Sequence, residues 1–166
     1  MPVGRTTEYV MNSIAVALVD IMADMSFDDI SICAIVDRAQ VSRNSYYRHF
    51  GSKDDVLRHY LSVRTDKWLR RTRTRLSTMN SLPDFVVTLL EHLRAHRDVV
   101  DLLRRDGKMS LLEEEFDTRF RKALSATIDP WHIALIIGGF YKLFCFWAET
   151  RYEESPAVIA SFLHRH

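Results

Sequence analysis

The chain has 166 residues, 47% hydrophobic and 27% charged, with a formal net charge of +1 at pH 7. That composition excludes a disordered or low-complexity chain, allows a real buried core, and gives no whole-chain sign of a polyanion partner. The two cysteines, Cys33 and Cys145, are too few and too far apart for a disulfide framework or a zinc knuckle.

The first helix is expected from about Thr7 to Asp24, where Val10, Ile14, Ala17, Leu18, Ile21 and Met22 recur at spacings of three and four. Ser31 is a good N-cap for a second helix ending near Arg38, with Ile32, Ile35 and Val36 inward. Ala39-Gln40-Val41 reads as a turn, and Ser42 caps a third helix from Arg43 to about His49. Gly51 stops that helix, and Ser52 caps a fourth, with Asp54 and Asp55 in its first turn, where the helix dipole favours acids. This fourth helix continues to about Leu76.

Further on, Pro83 and Asp84 open a fifth helix that reaches roughly His96. A sixth, Asp98 to Arg105, is closed by Gly107, and a seventh is expected over 109–127 with Leu111, Leu112, Phe116, Phe120 and Leu124 on one stripe. Asp129-Pro130 starts an apolar eighth, Trp131 to about Thr150. Ser155-Pro156 starts a ninth running to His164, with Val158, Ile159, Phe162 and Leu163 as its stripe. The fold class is therefore all-α: about nine helices, no convincing strand and no repeat. The five Gly and four Pro agree with long helices.

The third helix carries the chemistry. Arg43 suits a forked contact to guanine and Asn44 a bidentate pair with adenine, while Ser45 suits either partner at short range. Tyr46 offers its ring to a thymine methyl or packs inward. Tyr47 and His49 place polar tips near phosphate oxygens. Lys53 adds an ammonium and a helix N-terminus, and Ser31 and Ser42 stand at two further N-termini. Phe27, Ile32, Ile35, Val41, Phe50 and Leu57 read as core.

The run Ala39-Gln40-Val41-Ser42-Arg43-Asn44-Ser45-Tyr46-Tyr47-Arg48-His49-Phe50, followed by Ser52-Lys53 and Leu57, is very similar to the DNA-binding signature of TetR-type (tetracycline-repressor family) transcriptional regulators. The resemblance implies an all-helical homodimer that binds double-stranded DNA at a palindromic operator through helix three. It also implies a DNA-binding domain, 1–52, followed by an effector-binding and dimerisation domain, 53–166. Gln40 departs from the pattern, which has Gly at this turn position, where a positive φ is served. The turn is then either reshaped or strained by about 1 kcal/mol.

Local charge adds little: residues 1–60 hold six Lys/Arg against eight Asp/Glu, a balance of −2. The run Arg64 to Arg75 adds Arg64, Lys67, Arg70, Arg71, Arg73 and Arg75 against Asp66, read as a solvated helix face. Salt should still weaken binding, through counterion release.

Downstream, Trp131 to Trp147 is apolar on nearly all faces, unlike a monomer's surface helix. Its pairing with the last helix across a two-fold axis would use Trp131, Leu135, Gly138, Gly139, Phe146, Trp147, Ile159 and Phe162. This end also resembles a subgroup of the family with a G-G … W … S-P pattern, matched by Gly138-Gly139, Trp147 and Ser155-Pro156. The apolar run is broken by His132, Gly138, Gly139 and Lys142 and is short for a membrane span, so no membrane partner is expected. The amino terminus lacks the form of a signal peptide, and a reducing cytoplasm is the expected location.

Trp68, Phe85, Leu89, Leu93, Phe116, Phe120 and Phe144 are the expected lining of a pocket for a small-molecule effector. His92 and His96 share a face but lack an evident third metal ligand. Cys145 reads as packing. No catalytic residue, metal or cofactor is expected: no nucleophile–base pair or phosphate loop is present. The alternative to a DNA-binding regulator is a dimeric helical adaptor without specific DNA binding.

Overall fold

Ser and Thr hydroxyls set where the helices of the head begin. Thr6 Oγ1 accepts from the Tyr9 amide at 3.3 Å, Ser31 Oγ from Ala34 at 3.1 Å, Ser42 Oγ from Ser45 at 3.1 Å and Ser52 Oγ from Asp55 at 3.1 Å. Each satisfies an amide that the first helical turn leaves without a partner. The resulting helices are α1 (Thr7–Met22), α2 (Ile32–Ala39), α3 (Arg43–His49) and α4 (Lys53–Ser77). They are followed by α5 (Leu82–Ala95), α6 (Arg97–Arg105), α7 (Met109–Leu124), α8 (Pro130–Glu149) and α9 (Pro156–Ser161).

This computed structural model describes residues 6–77, 82–124 and 129–162, and among them the architecture is nine helices without a strand. The helix ends expected at 127 and 164, Leu163, and the side chains of Arg73, Arg75 and Leu124 lie outside the described residues.

The chain divides into two compact units, Met1–Thr65 with Leu102–Leu112, and Asp66–Asp101 with Glu113–His166. Residues of α4 up to Thr65 and the returning segment Leu102–Leu112 both belong with the head. In the first unit α1, α2 and α3 pack on one another around Ile14, Leu18, Met22, Ile30, Ile35, Tyr46 and Leu57. Arg105 of the returning segment donates to the carbonyls of Met22 (2.7 Å) and Met25 (3.1 Å), closing the end of α1. Lys108 pairs with Asp54 at 2.9 Å and lies 4.2 Å from the centre of the Phe27 ring. His59 on α4 bonds Asn12 at 2.8 Å, and its burial holds the imidazole below its usual pKa.

The turn between α2 and α3 keeps the geometry that glycine would serve. Gln40 sits in the left-handed region at φ 53°, ψ 47°, and the Val41 amide reaches back to the Val36 carbonyl at 3.0 Å. That six-to-one bond is the mark of a Schellman end. Of the two expected outcomes, a reshaped turn or a strained one, the strained one is found. Gln40→Gly should therefore raise stability by at most about 0.5 kcal/mol, the roughly 1 kcal/mol of relieved strain less glycine's extra chain entropy of about 0.5–1 kcal/mol. Urea unfolding of the two proteins measures it; a loss would mean that the Gln side chain offsets the strain.

In the second unit α9 packs along α5, and an aromatic cluster joins α5, α7 and α8. Phe116 lies at its centre, 5.5 Å from Phe120, 5.7 Å from Phe140 and 6.1 Å from Phe144 between ring centres. The turn after α8 places two non-glycine residues at positive φ, Arg151 at 55° and Tyr152 at 60°. Trp147 anchors it: its indole N–H donates to the Glu154 carbonyl at 2.9 Å, and its ring meets Tyr152 edge-on at 5.0 Å. The tryptophan and Ser-Pro of the carboxy-terminal pattern are thus the parts of one chain reversal.

Candidate functional site

A helix of seven residues on a core divides its side chains by angle, at about 100° per residue. Tyr46 and Phe50 point inward, and both are buried. Arg43, Asn44, Tyr47 and Arg48 are exposed, Tyr47 by 62%, and share one arc of about 140°. Ser45 and His49 are half-buried at its edges. Tyr47 stands against the Tyr46 ring edge-on at 5.5 Å, so a core side chain positions an exposed one. Arg43 also meets the Cys33 thiol of α2, and that contact is the largest cause raising the pKa of its guanidinium, which is fully exposed.

Two expected contact residues are placed elsewhere. Tyr46 is 0% exposed, its hydroxyl has no hydrogen-bond partner among the described residues, and burial pushes its pKa up to about 12. It belongs to the core of the head, out of reach of a base. Lys53 is also committed: its ammonium donates to the carbonyls of Phe27 (2.5 Å), Ile30 (2.8 Å) and Asp28 (3.2 Å). An ammonium has three donors, and all three are used. Lys53 therefore ties down the loop before α2. Arg48, outside the expected set, joins the exposed arc. Its spacing of four from Asn44 was the available signal.

The buried Tyr46 hydroxyl gives a sharp expectation. A buried polar atom without a partner costs roughly 1–3 kcal/mol. Tyr46→Phe should thus unfold at the same or higher urea concentration and bind DNA as the wild type does. A large loss of DNA affinity in the folded variant would put the hydroxyl back at the interface.

Ser31 and Ser42 are exposed and their hydroxyls are engaged as caps; Ser42 Oγ also lies 3.0 Å from Ser45 Oγ. On α4, Lys67, Arg70 and Arg71 are exposed, while Asp66 is taken by Arg119 at 2.8 Å.

The second unit has a narrow apolar cleft, open to solvent, with room for about one water molecule. Its lining is Phe85, Val86 and Leu89 from α5, Phe120 from α7, and Ile136, Ile137 and Phe140 from α8. Phe85, Leu89 and Phe120 were expected there; Trp68, Leu93, Phe116 and Phe144 do not line it but are buried around it as core. Trp68 stacks on His92 at 5.2 Å, and His92 and His96 come together at 4.3 Å between ring centres. No third His, Cys, Asp or Glu completes a metal cluster among the described residues.

The surface expected to pair is divided the same way. Trp131 (85%), Leu135 (73%), Phe146 (63%) and Phe162 (50%) are exposed. Gly138 and Gly139 are exposed too, and a Cβ on either would meet nothing within 4 Å. Trp147 and Ile159 are instead buried within their own chain, held by the chain reversal and by the packing of α9 on α5. With 20 residues, α8 is long and apolar enough to cross a bilayer by length and composition, contrary to the shorter run read from sequence. However, seven of its residues, Ile133, Ile137, Phe140, Tyr141, Phe144, Trp147 and Ala148, are buried in the unit.

The capped head, with α3 exposing one arc of polar side chains, has the helix-turn-helix architecture found in DNA-binding regulators. Residues 14–60 match the family model of bacterial regulatory proteins, tetR family. Among solved structures, the chain is similar to the fatty acid degradation regulator FadR from Bacillus halodurans, with a TM-score of 0.55 and 15% identity over 94% of this chain and 93% of that one. At that identity the likeness concerns the fold. No curated protein matches the chain.

Proposed function

We propose that the chain is a cytoplasmic transcriptional repressor, not an enzyme, which binds a palindromic operator as a homodimer through α3 and is released by a small-molecule effector. The observation that carries the reading is the exposed arc of Arg43, Asn44, Tyr47 and Arg48. Four side chains suited to bases and phosphates are turned outward by a helix whose other face is core. The head is not basic overall, so one copy offers a small electrostatic footprint. A second copy would double it and set the two recognition helices about 34–36 Å apart. The outward stripe of α8 supports such pairing, because its glycines face open space and a large apolar face left in water is a liability. The cleft supports the effector, which would act by binding the operator-competent and operator-incompetent states unequally.

Selection of binding sites from random DNA, followed by anisotropy titration at about 100 mM salt, tests the reading. The wild type should prefer the selected site strongly over random sequence. Arg43→Ala should lose about 5- to 150-fold on that site, the worth of one bidentate base contact, with its circular dichroism unchanged. A wild-type dimer with no sequence preference would sink the proposal.

A further inference from the structure

The cleft's chemistry points to a class of ligand, an inference that rests on the effector reading above. Its walls are aliphatic and aromatic carbon: Val86, Leu89, Ile136 and Ile137 with Phe85, Phe120 and Phe140. Among the described residues no carboxylate, ammonium, hydroxyl or amide side chain lines it. An uncompensated polar group in such a place costs several kcal/mol and an isolated charge far more, so water and ionic ligands are both poor occupants. An uncharged hydrocarbon group loses nothing there and leaves water behind. The cleft is open on one side, with Phe85 and Ile136 only half-buried at it, so a polar head group would stay outside in solvent. Phe85 and Phe120 meet edge-on at 5.5 Å, and they are the rings that must part before the cleft, with room for about one water molecule as it stands, admits a chain.

We propose that this cleft binds the hydrocarbon chain of a small amphiphile or neutral apolar molecule, and takes no charged group inside. The position matters for regulation. Ile136, Ile137 and Phe140 are the inner side of α8, whose outer side carries Leu135, Gly138 and Gly139. A guest that shifts α8 would therefore disturb the face proposed for pairing.

The test uses the full chain with ¹³C-labelled Ile, Leu and Val methyls, titrated with 1-hexanol and, separately, with 1,2,6-hexanetriol. Hexanol should give saturable shifts centred on the methyls of Val86, Leu89, Ile136 and Ile137, and raise the melting temperature. The triol, equal in length but polar along it, should do neither. Ile136→Phe, which fills the open side at a half-buried position, should weaken hexanol at least tenfold. Absence of saturable shifts, shifts centred elsewhere, or equal effects from the triol would overturn the inference. Operator affinity measured beside it separates the two claims. Methyl shifts without any change in DNA binding would leave the ligand class standing and sink the effector role; no methyl shifts would sink the ligand class whatever hexanol does to the DNA.

Discussion

Lys53→Met should destabilise the head by about 3 kcal/mol while leaving the salt dependence of DNA binding untouched. Methionine keeps an apolar stem against Phe27, whose ring centre lies 4.7 Å from the Lys53 ammonium, so the variant isolates the loss of charge and donors. What is lost is the bridge from α4 to the carbonyls of Phe27, Asp28 and Ile30, two of these bonds being part-buried. Charge-assisted bonds contribute roughly 1.5–3 kcal/mol each when one partner is removed, but exposed Asp28 and relaxation of the loop reduce the sum. Urea unfolding followed by circular dichroism, with amide exchange over residues 27–57, reads the loss. A phosphate role makes the opposite forecast: full stability, and a log–log salt slope smaller by about 0.9.

The lysine shows where reading a sequence stops. Helix starts were legible because a cap bonds three residues along, and the three caps expected in the head, Ser31, Ser42 and Ser52, each accept from the amide three residues on; the Thr6 cap was not read from the sequence. In the exposed arc of α3, Arg43, Asn44 and Tyr47 were legible and Arg48 was missed, while the polar tip of Tyr46 disguised a core ring. Lys53 was not legible, because its partners lie 23–26 residues away and are backbone atoms, which no side-chain pattern records. The same holds for Arg105 and Lys108. They bind a head some 80 residues earlier in the chain, and only the fold brings them there.

In the second unit the difficulty is different. Aromatic residues recur at helical spacing along α4, α5, α7 and α8, and spacing alone does not distinguish a ring that lines a cleft from one packed a layer behind it. Three of the seven expected residues line the cleft. The contributions of α8 were missed because that helix is apolar on nearly every face, so its sequence gives no phase. Burial supplies the phase: Ile133, Ile137, Phe140, Phe144 and Trp147 inward, Trp131, Leu135 and Phe146 outward.

That outward stripe carries the other large expectation. Leu135→Glu should turn the protein into a monomer and weaken operator binding by about 10²–10⁴-fold, the gain that a linked second head supplies. Leu135 is 73% exposed, so the substitution leaves the chain's own core intact and the monomer should keep its helical spectrum. Sedimentation equilibrium measures the assembly. The 85% exposed Trp131 offers a second reading, since its emission should shift to the blue as the wild type is concentrated and should not shift in the variant. Glutamate is chosen over alanine because two-fold pairing brings the same surface together from both copies, so one substitution places two carboxylates in the contact. A variant that stays dimeric would move the pairing surface off α8, and with it the link between the cleft and the spacing of the two heads. A monomer with undiminished operator affinity would instead show that one head is enough, which its balance of six basic against eight acidic residues in 1–60 makes hard to sustain.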